Sequence, residues 1–329
     1  MKHFKLKLWI INLSIIMISC SEIVTPPDNF PPDSPKNFIL LGAGDGQAHF
    51  RWERNFEPDF KEYRLYRSVN NINSFSLLVS LTQTEYVDRF LEYDSVYYFY
   101  LTAVDFAGNE SIRTNIIDVQ PLNISAPLPP SRLLVQGINS PAQGLLEIKL
   151  SWLPPSASDL RSYYIYRGSD SAFIPGQLSL LDTTTVSSYI DRLVVSNKRY
   201  YYKIIAVDKG GKTSFPTGAA NDVILQNAEL ISPANNSRFT DPKTFKWNSV
   251  NDAVAYEVFV GNGPLSGVIW SSGKTTLTEI SYTGPNLLSS KVYYWWVGSY
   301  SKNKEVFDDG TEAPAQINSY SSVNSFFVE

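Results

Sequence analysis

Residues 59–67 read DFKEYRLYR, and residues 159–167 read DLRSYYIYR. A second pair of strings follows, YYFYLTAVDFAGNES from Tyr97 and YYYKIIAVDKGGKTS from Tyr200. Trp52 and Trp152 lie 100 residues apart, as do Asp59 and Asp159, Tyr63 and Tyr163, Tyr66 and Tyr166, and Arg67 and Arg167. Solenoid repeats run to roughly 20–50 residues, so a period near 100 marks whole domains in tandem. Within each repeat, apolar and polar residues alternate through Ala48–Trp52, Tyr63–Arg67 and Tyr97–Val104, which is the period of a half-buried strand. Turn-rich clusters at Gly42–Gln47, Asn70–Ser74 and Ala107–Ser111 separate these runs. No stretch carries a helical period.

Composition agrees. Of 329 residues, 43% are hydrophobic and 18% charged, enough apolar material for packed cores and too little charge for a disordered polyelectrolyte. Tyr (20) and Phe (18) far outnumber Met (2), which suits pleated surfaces. The single cysteine, Cys20, rules out an intramolecular disulfide, so hydrophobic packing must hold the domains. Length favours two or three domains.

The spacing resembles that of fibronectin type III domains: Pro near the start, Trp in strand B, Tyr-x-hydrophobic in strand C, and Leu-x5-Tyr followed by alternating apolar residues and Ala in strand F. Unit one matches at Pro35, Trp52, Tyr63, Leu65, Leu91, Tyr97, Phe99, Leu101 and Ala103. Unit two matches at Pro130, Trp152, Tyr163, Ile165, Tyr200, Tyr202, Ile204 and Ala206, with Val194 taking the leucine role because Leu193 is one residue too far from Tyr200. Unit three is divergent: Pro233, Trp247, Tyr256, Val258, Leu287, Tyr293, Trp295 and Val297 fit, but Ser299 replaces Ala, and another Ig-like class remains open for it. The resemblance implies an all-β chain of tandem Ig-like or fibronectin type III β-sandwiches at 35–121, 131–226 and 227–329. Its core would be built on Trp52, Tyr63, Tyr97, Trp152, Tyr163, Tyr200, Trp247, Tyr256 and Tyr293. Residues 122–130 read as a stiff Pro-rich linker; Asn221–Ser232 holds no proline and predicts a tighter junction.

The first 19 residues set the expected compartment. Lys2, Lys5 and Lys7 precede an uncharged run, Leu8–Ser19, too short for a membrane span and the right length for the apolar part of a signal peptide. Met17-Ile18-Ser19-Cys20 resembles the lipobox of bacterial lipoproteins, with Met17 a departure from the usual Leu. The resemblance implies acylation of Cys20, and several acyl chains anchor firmly where one does not. Residues 20–34 then form a Pro-rich tether. The expected place is the bacterial cell envelope, lipid-anchored in the outer membrane with the domains extracytoplasmic, and the first partner is membrane lipid.

No chemistry stands out. Beyond the leader, 25 basic residues face 32 acidic ones, no footprint for nucleic acid. His49 is the only histidine past the leader and falls on an outward strand position. Asp105 and Asp208, at the ends of strand F, read as turn residues, as do Asp59 and Asp159 at the starts of strand C. Asp308, Asp309 and Glu312 (DDGTE) match no EF-hand spacing. No catalytic residue, cofactor or metal is called. Strand alternation turns Arg64, Tyr66, Tyr98 and Tyr100 outward in unit one, Tyr164, Tyr166 and Tyr201 in unit two, and Phe259, Tyr294, Trp296 and Tyr300 in unit three. Such rings stack on sugars or anchor protein contacts, so the last four form the candidate ligand face. The sequence thus points to a non-catalytic envelope lipoprotein acting as a spacer, scaffold or adhesin-like module for envelope proteins, or alternatively a surface lipoprotein that captures polysaccharide.

Overall fold

A computed structural model describes residues 28–240 and 243–328. Cys20, the leader and the first part of the tether lie outside the described residues.

Unit one holds β1 (Ile39–Gly44), β2 (Gln47–Arg51), β3 (Phe60–Val69), β4 (Ser76–Leu81), β5 (Glu85–Arg89), β6 (Tyr97–Asp105) and β7 (Ile117–Val119). They form two sheets, β1-β2-β5 and β4-β3-β6-β7. Unit two repeats the plan with β8 (Ser131–Ser140), β9 (Leu145–Leu153), β10 (Leu160–Gly168), β11 (Leu180–Thr184), β12 (Ser188–Asp191), β13 (Arg199–Asp208) and β14 (Ala220–Val223). Unit three is more finely divided: β15 (Leu230–Ser232), β16 (Ser237–Arg238), β17 (Thr244–Trp247), β18 (Ala255–Gly263), β19 (Ser266–Ser271), β20 (Glu279–Ser281), β21 (Val292–Tyr300), β22 (Lys304–Val306), β23 (Glu312–Pro314), β24 (Ser319–Tyr320) and β25 (Asn324–Phe327). Its small sheet is β15-β17-β20, and β25 and β24 line up in turn beside β21.

Each unit buries its own core between the two sheets, and the same aromatic pair sits in all three. Trp52 meets Tyr63 edge-on with ring centroids 5.4 Å apart, Trp152 meets Tyr163 at 5.1 Å, and Trp247 meets Tyr256 at 5.7 Å. A large ring there fills the space between the sheets and dominates packing. The strand F tyrosines are equally regular. Tyr97 accepts the N–H of Glu92 (2.8 Å), Tyr200 that of Val195 (3.0 Å) and Tyr293 that of Leu288 (2.9 Å). This is the tyrosine corner of sandwich folds, each hydroxyl bonding backbone five residues upstream. Val194 is buried at 6% exposure while Leu193 stands out at 75%, so the valine fills the leucine position in unit two.

The junctions are tied rather than loose. Between units two and three, Val223 and Leu225 enter the core of unit three while Ile224 enters that of unit two. Strand alternation thus makes one short segment serve both cores. Ser319 of β24 pairs in parallel with Asn139 of β8, fusing sheets of the two units into one of nine strands. At the other junction, Leu122 bridges Gly44 in parallel, Asp45 accepts the N–H groups of Ile124 (2.7 Å) and Ser125 (2.9 Å), and Ser158 donates to the Asp45 carbonyl at 2.6 Å.

Candidate functional site

The outward aromatics do not form an open platform. In unit three, Trp296 is 3% and Tyr300 5% exposed, and Phe259 and Tyr294 are half-buried. Phe259 stacks on Trp296 at 5.7 Å with their planes 15° apart. Gln143 of unit two, Leu265, Val268 and Tyr320 close around them, leaving a cleft of about 180 Å³. Tyr300 donates to Glu257 at 2.6 Å, lies under Lys274 with Nζ 4.1 Å from the ring centroid, and packs against Ala255 and Ala315. Alternation had placed these rings away from their own core, and it did so correctly. What covers Phe259 and Trp296 is Gln143 of unit two together with Leu265, Val268 and Tyr320 of unit three itself, whereas Tyr300 is covered within its own unit. Only Tyr294 reaches a broad, open depression, shared with Pro141, Pro264, Asn235, Asn236 and Val323.

In unit one the outward rings are roofed by their own polar cluster. Tyr66 stacks on Tyr100 at 4.7 Å, and Glu110 accepts from Tyr66 (2.7 Å), Thr102 (2.7 Å) and Arg64 (2.8 Å). Burial pushes Glu110 up, but these donors outweigh it and hold the carboxyl below its usual range. Burial together with the Glu110 carboxylate raises the Tyr66 hydroxyl to about 12. In unit two Tyr166 is buried, and Tyr164 and Tyr201 are half-buried.

The acids of the 308–312 loop are engaged. Asp308 accepts the Arg132 N–H (2.8 Å), Asp309 pairs with the Arg132 guanidinium (3.7 Å), and Glu312 with Lys304. His49 faces Glu85 across the sheet at 3.6 Å. Asp105 and Asp208 do accept turn N–H groups, from Asn109 and Lys212, each at 2.8 Å.

The residues that sequence reasoning passed over are those of the second junction. Asn318, 1% exposed, accepts the N–H of Leu225 (2.9 Å) and donates to Val223 O (2.7 Å), Asp222 (3.0 Å) and Ser301 (3.2 Å). Asp222 also accepts the Gly137 N–H (2.8 Å) and the Ser301 hydroxyl (2.7 Å). Lys302 ties Val135 O, Asn221 O and Glu305 together at 2.9–3.1 Å. Gly137 is glycine for want of room, since a Cβ there would lie 2.7 Å from Asn318 Nδ2 and 3.0 Å from Val223 O. Nothing in a single sequence marks Asn318; only the proline-free junction hinted at a tight joint.

No protein-family model matches the chain. It is similar to exoglucanase B of Cellulomonas fimi, 22% identical over 293 residues that make up 83% of this chain and 24% of that protein. It is also similar to the phosphatidylinositol phosphatase PTPRQ of Homo sapiens, 27% identical over 205 residues, 59% of this chain and 8% of the relative. The chain therefore spans about a quarter of the first relative and under a tenth of the second. Among solved structures, the FN1–FN3 domains of chicken CNTN1 align over 91% of this chain and all of theirs, with 13% identity and a TM-score of 0.35. A two-domain fibronectin type III segment of chicken tenascin covers 58% of this chain and 99% of its own, with 18% identity and a TM-score of 0.31. Two seven-stranded sandwiches of the same sheet order, a divergent third, and the Trp–Tyr pair and tyrosine corner in each make this chain a tandem array of fibronectin type III-like domains.

Proposed function

We propose that the chain is a non-catalytic, lipid-tethered spacer of the bacterial cell envelope, anchored through Cys20, that holds a binding surface at a fixed distance and orientation from the membrane. The observation that carries this reading is the way the units are joined. A segment shared by two cores, a fused sheet and a buried network around Asn318 resist bending between units two and three. Independent domains on free linkers need none of these. Among the described residues no helix is long and apolar enough to cross a membrane.

Two measurements test it. Small-angle scattering of the chain from residue 21 should fit one rigid body, and a curve that requires an ensemble of bent forms between units two and three would sink the spacer idea. Metabolic palmitate labelling should mark the protein and be lost in Cys20→Ala, which should leave the membrane fraction; a wild type without label refutes the anchor.

A second reading, polysaccharide capture, is favoured by the half-exposed Tyr294 beside Asn235 and Asn236, and by the similarity to an exoglucanase. A glycan panel run with wild type and Tyr294→Ala decides it. Saturable binding lost in the variant supports it, and no binding removes it.

A further inference from the structure

One constellation occurs twice and is not explained by turn chemistry. In unit one, carboxylate oxygens of Asp28, Asp59 and Asp105 all lie within 4.8 Å of one another. Asp28 comes from the chain before unit one, Asp59 from the start of strand C, and Asp105 from the end of strand F. Unit two presents the same three positions as Asn123, Asp159 and Asp208. Asp28 stands seven residues before Pro35, and Asn123 seven before Pro130. The backbone confirms the correspondence. Asn109 donates to the Asp28 carbonyl at 2.9 Å, and Lys212, at the matching position, donates to the Asn123 carbonyl at 3.0 Å.

The second copy shows what the first only suggests. Asp208 is wholly buried and Asp159 is 3% exposed. Asp208 Oδ1 accepts from Lys212 N (2.8 Å) and Asn123 Nδ2 (3.1 Å). Its Oδ2 has no partner and no solvent, and neither has Asn123 Oδ1. Both orphans are acceptors, on side chains joined by the Asn123 Nδ2–Asp208 Oδ1 hydrogen bond. Asp159 takes the Tyr93 hydroxyl. The nearby ammonium groups are occupied elsewhere: Lys212 on the carbonyls of Asn123 and Ile124, Lys209 on Glu92. Among the described residues no Lys, Arg or His forms an ion pair with Asp159 or Asp208. Orphaned buried acceptors are met by a water or an ion, and two buried carboxylates without a counter-charge are costly, which favours the ion.

We propose that the Asn123, Asp159 and Asp208 side chains at the junction of units one and two form a calcium site, with Asp28, Asp59 and Asp105 as its more open copy at the base of unit one. The ligand set is all oxygen, the preference of a hard cation. Calcium takes 6–8 oxygens at about 2.3–2.6 Å, so oxygens up to 4.8 Å apart, as in the unit-one copy, can share one ion. The ion would fix the linker to strands C and F of the following unit, which the proposed spacer does not require and which therefore stands or falls separately.

The test uses the chain from residue 21, which keeps every described residue, stripped with EDTA and titrated with Ca²⁺ by calorimetry. Tyrosine-sensitised Tb³⁺ emission gives a second readout, since Tyr93 touches Asp159. We expect saturable binding with Kd of about 0.1–1 mM, the range of extracellular modules, and a melting temperature raised by calcium. Asp208→Asn should abolish the junction site, and Asp105→Asn should weaken the unit-one copy. In EDTA, Asp208→Asn should melt no lower than wild type because the substitution removes an uncompensated buried charge, which separates ligation from folding. Should that variant not fold, Asn123→Ala removes the linker ligand instead. Wild type without saturable binding up to about 10 mM Ca²⁺, roughly tenfold above that range, overturns the proposal, as does a stoichiometry that neither Asp208→Asn nor Asn123→Ala reduces.

Discussion

Replacing Asn318 by Ala removes one acceptor and the donors to three oxygens in a space closed to water. The Leu225 N–H is left without an acceptor, at a cost of about 1–3 kcal/mol. Asp222 keeps the Gly137 N–H and the Ser301 hydroxyl but loses a charge-assisted bond, worth about 1.5–3 kcal/mol. Allowing for relaxation, about 3–5 kcal/mol should go, and it should go from units two and three together because both cores meet at 223–225. Urea unfolding followed by tryptophan fluorescence would show it, as one late transition in wild type that moves earlier or divides in the variant. Asn318→Asp is the sharper control. Its carboxylate keeps the shape and still accepts from Leu225, but it faces Asp222 Oδ2, 3.0 Å from the present amide. It should therefore be at least as damaging as Ala above the usual carboxylate range, and partly recover in acid. A loss below about 0.5 kcal/mol for Ala, the scale of an ordinary surface change, or a near-neutral Asp variant, would refute the claim that this network joins the units.

Ser299 stands where units one and two have Ala103 and Ala206; it is fully buried with an unpartnered hydroxyl, so Ser299→Ala should stabilise by about 1 kcal/mol in the same assay. Asp191, 1% exposed, accepts from Arg167 (2.6 Å) and the Tyr202 hydroxyl (2.8 Å), and Asp191→Ala should cost about 3–5 kcal/mol by leaving the buried Tyr202 hydroxyl without an acceptor and Arg167 with only the Leu193 carbonyl. Tyr66 is raised by burial and by Glu110 to about 12, above the unfolded value near 10. Its contribution is thus complete below pH 10 and is lost as pH climbs through about 12. Tyr202 and Tyr300 are raised further in the same sense. Absorbance of tyrosinate should show a group of residues ionising only with alkaline unfolding, and titration of all tyrosines near pH 10 in the folded chain would contradict this.

The sandwiches were legible because their signals are local. Period-two alternation, the Trp–Tyr spacing and the strand F tyrosine are each set within one unit, and the structure places them as alternation requires. Even the shift from Leu193 to Val194 could be read from its distance to Tyr200. The repeated Arg67 and Arg167 were visible too, but their partners Asp88 and Asp191 were not, since those acids are 103 residues apart and out of step with the arginines. The covering of the candidate ligand face was not legible, for a non-local reason. Alternation tells which side of a sheet a ring occupies, and it is silent on what lies over that side, from another unit or from a distant stretch of the same one. Trp296 points outward from its sandwich towards Gln143 of unit two, and Tyr300 points outward onto Ala255, Ala315 and Lys274 of its own unit. The carboxylate clusters had a readable cue in the register of Asp28 and Asn123 with the prolines, although only three-dimensional convergence gives that cue meaning.

A bare strand edge invites any passing strand. In this chain the first strands of units one and two are each met in parallel by a later segment, β1 at Gly44 by Leu122 and β8 at Asn139 by Ser319. Severing unit two from unit three near residue 226 would uncover β8 and strip Leu225 of its surroundings. The resulting fragment should self-associate through that edge, whereas the intact array keeps the edge shut with its own tail. The modules are therefore not interchangeable beads: unit three serves as the lid on unit two, and recombination that shuffled them singly would yield sticky intermediates.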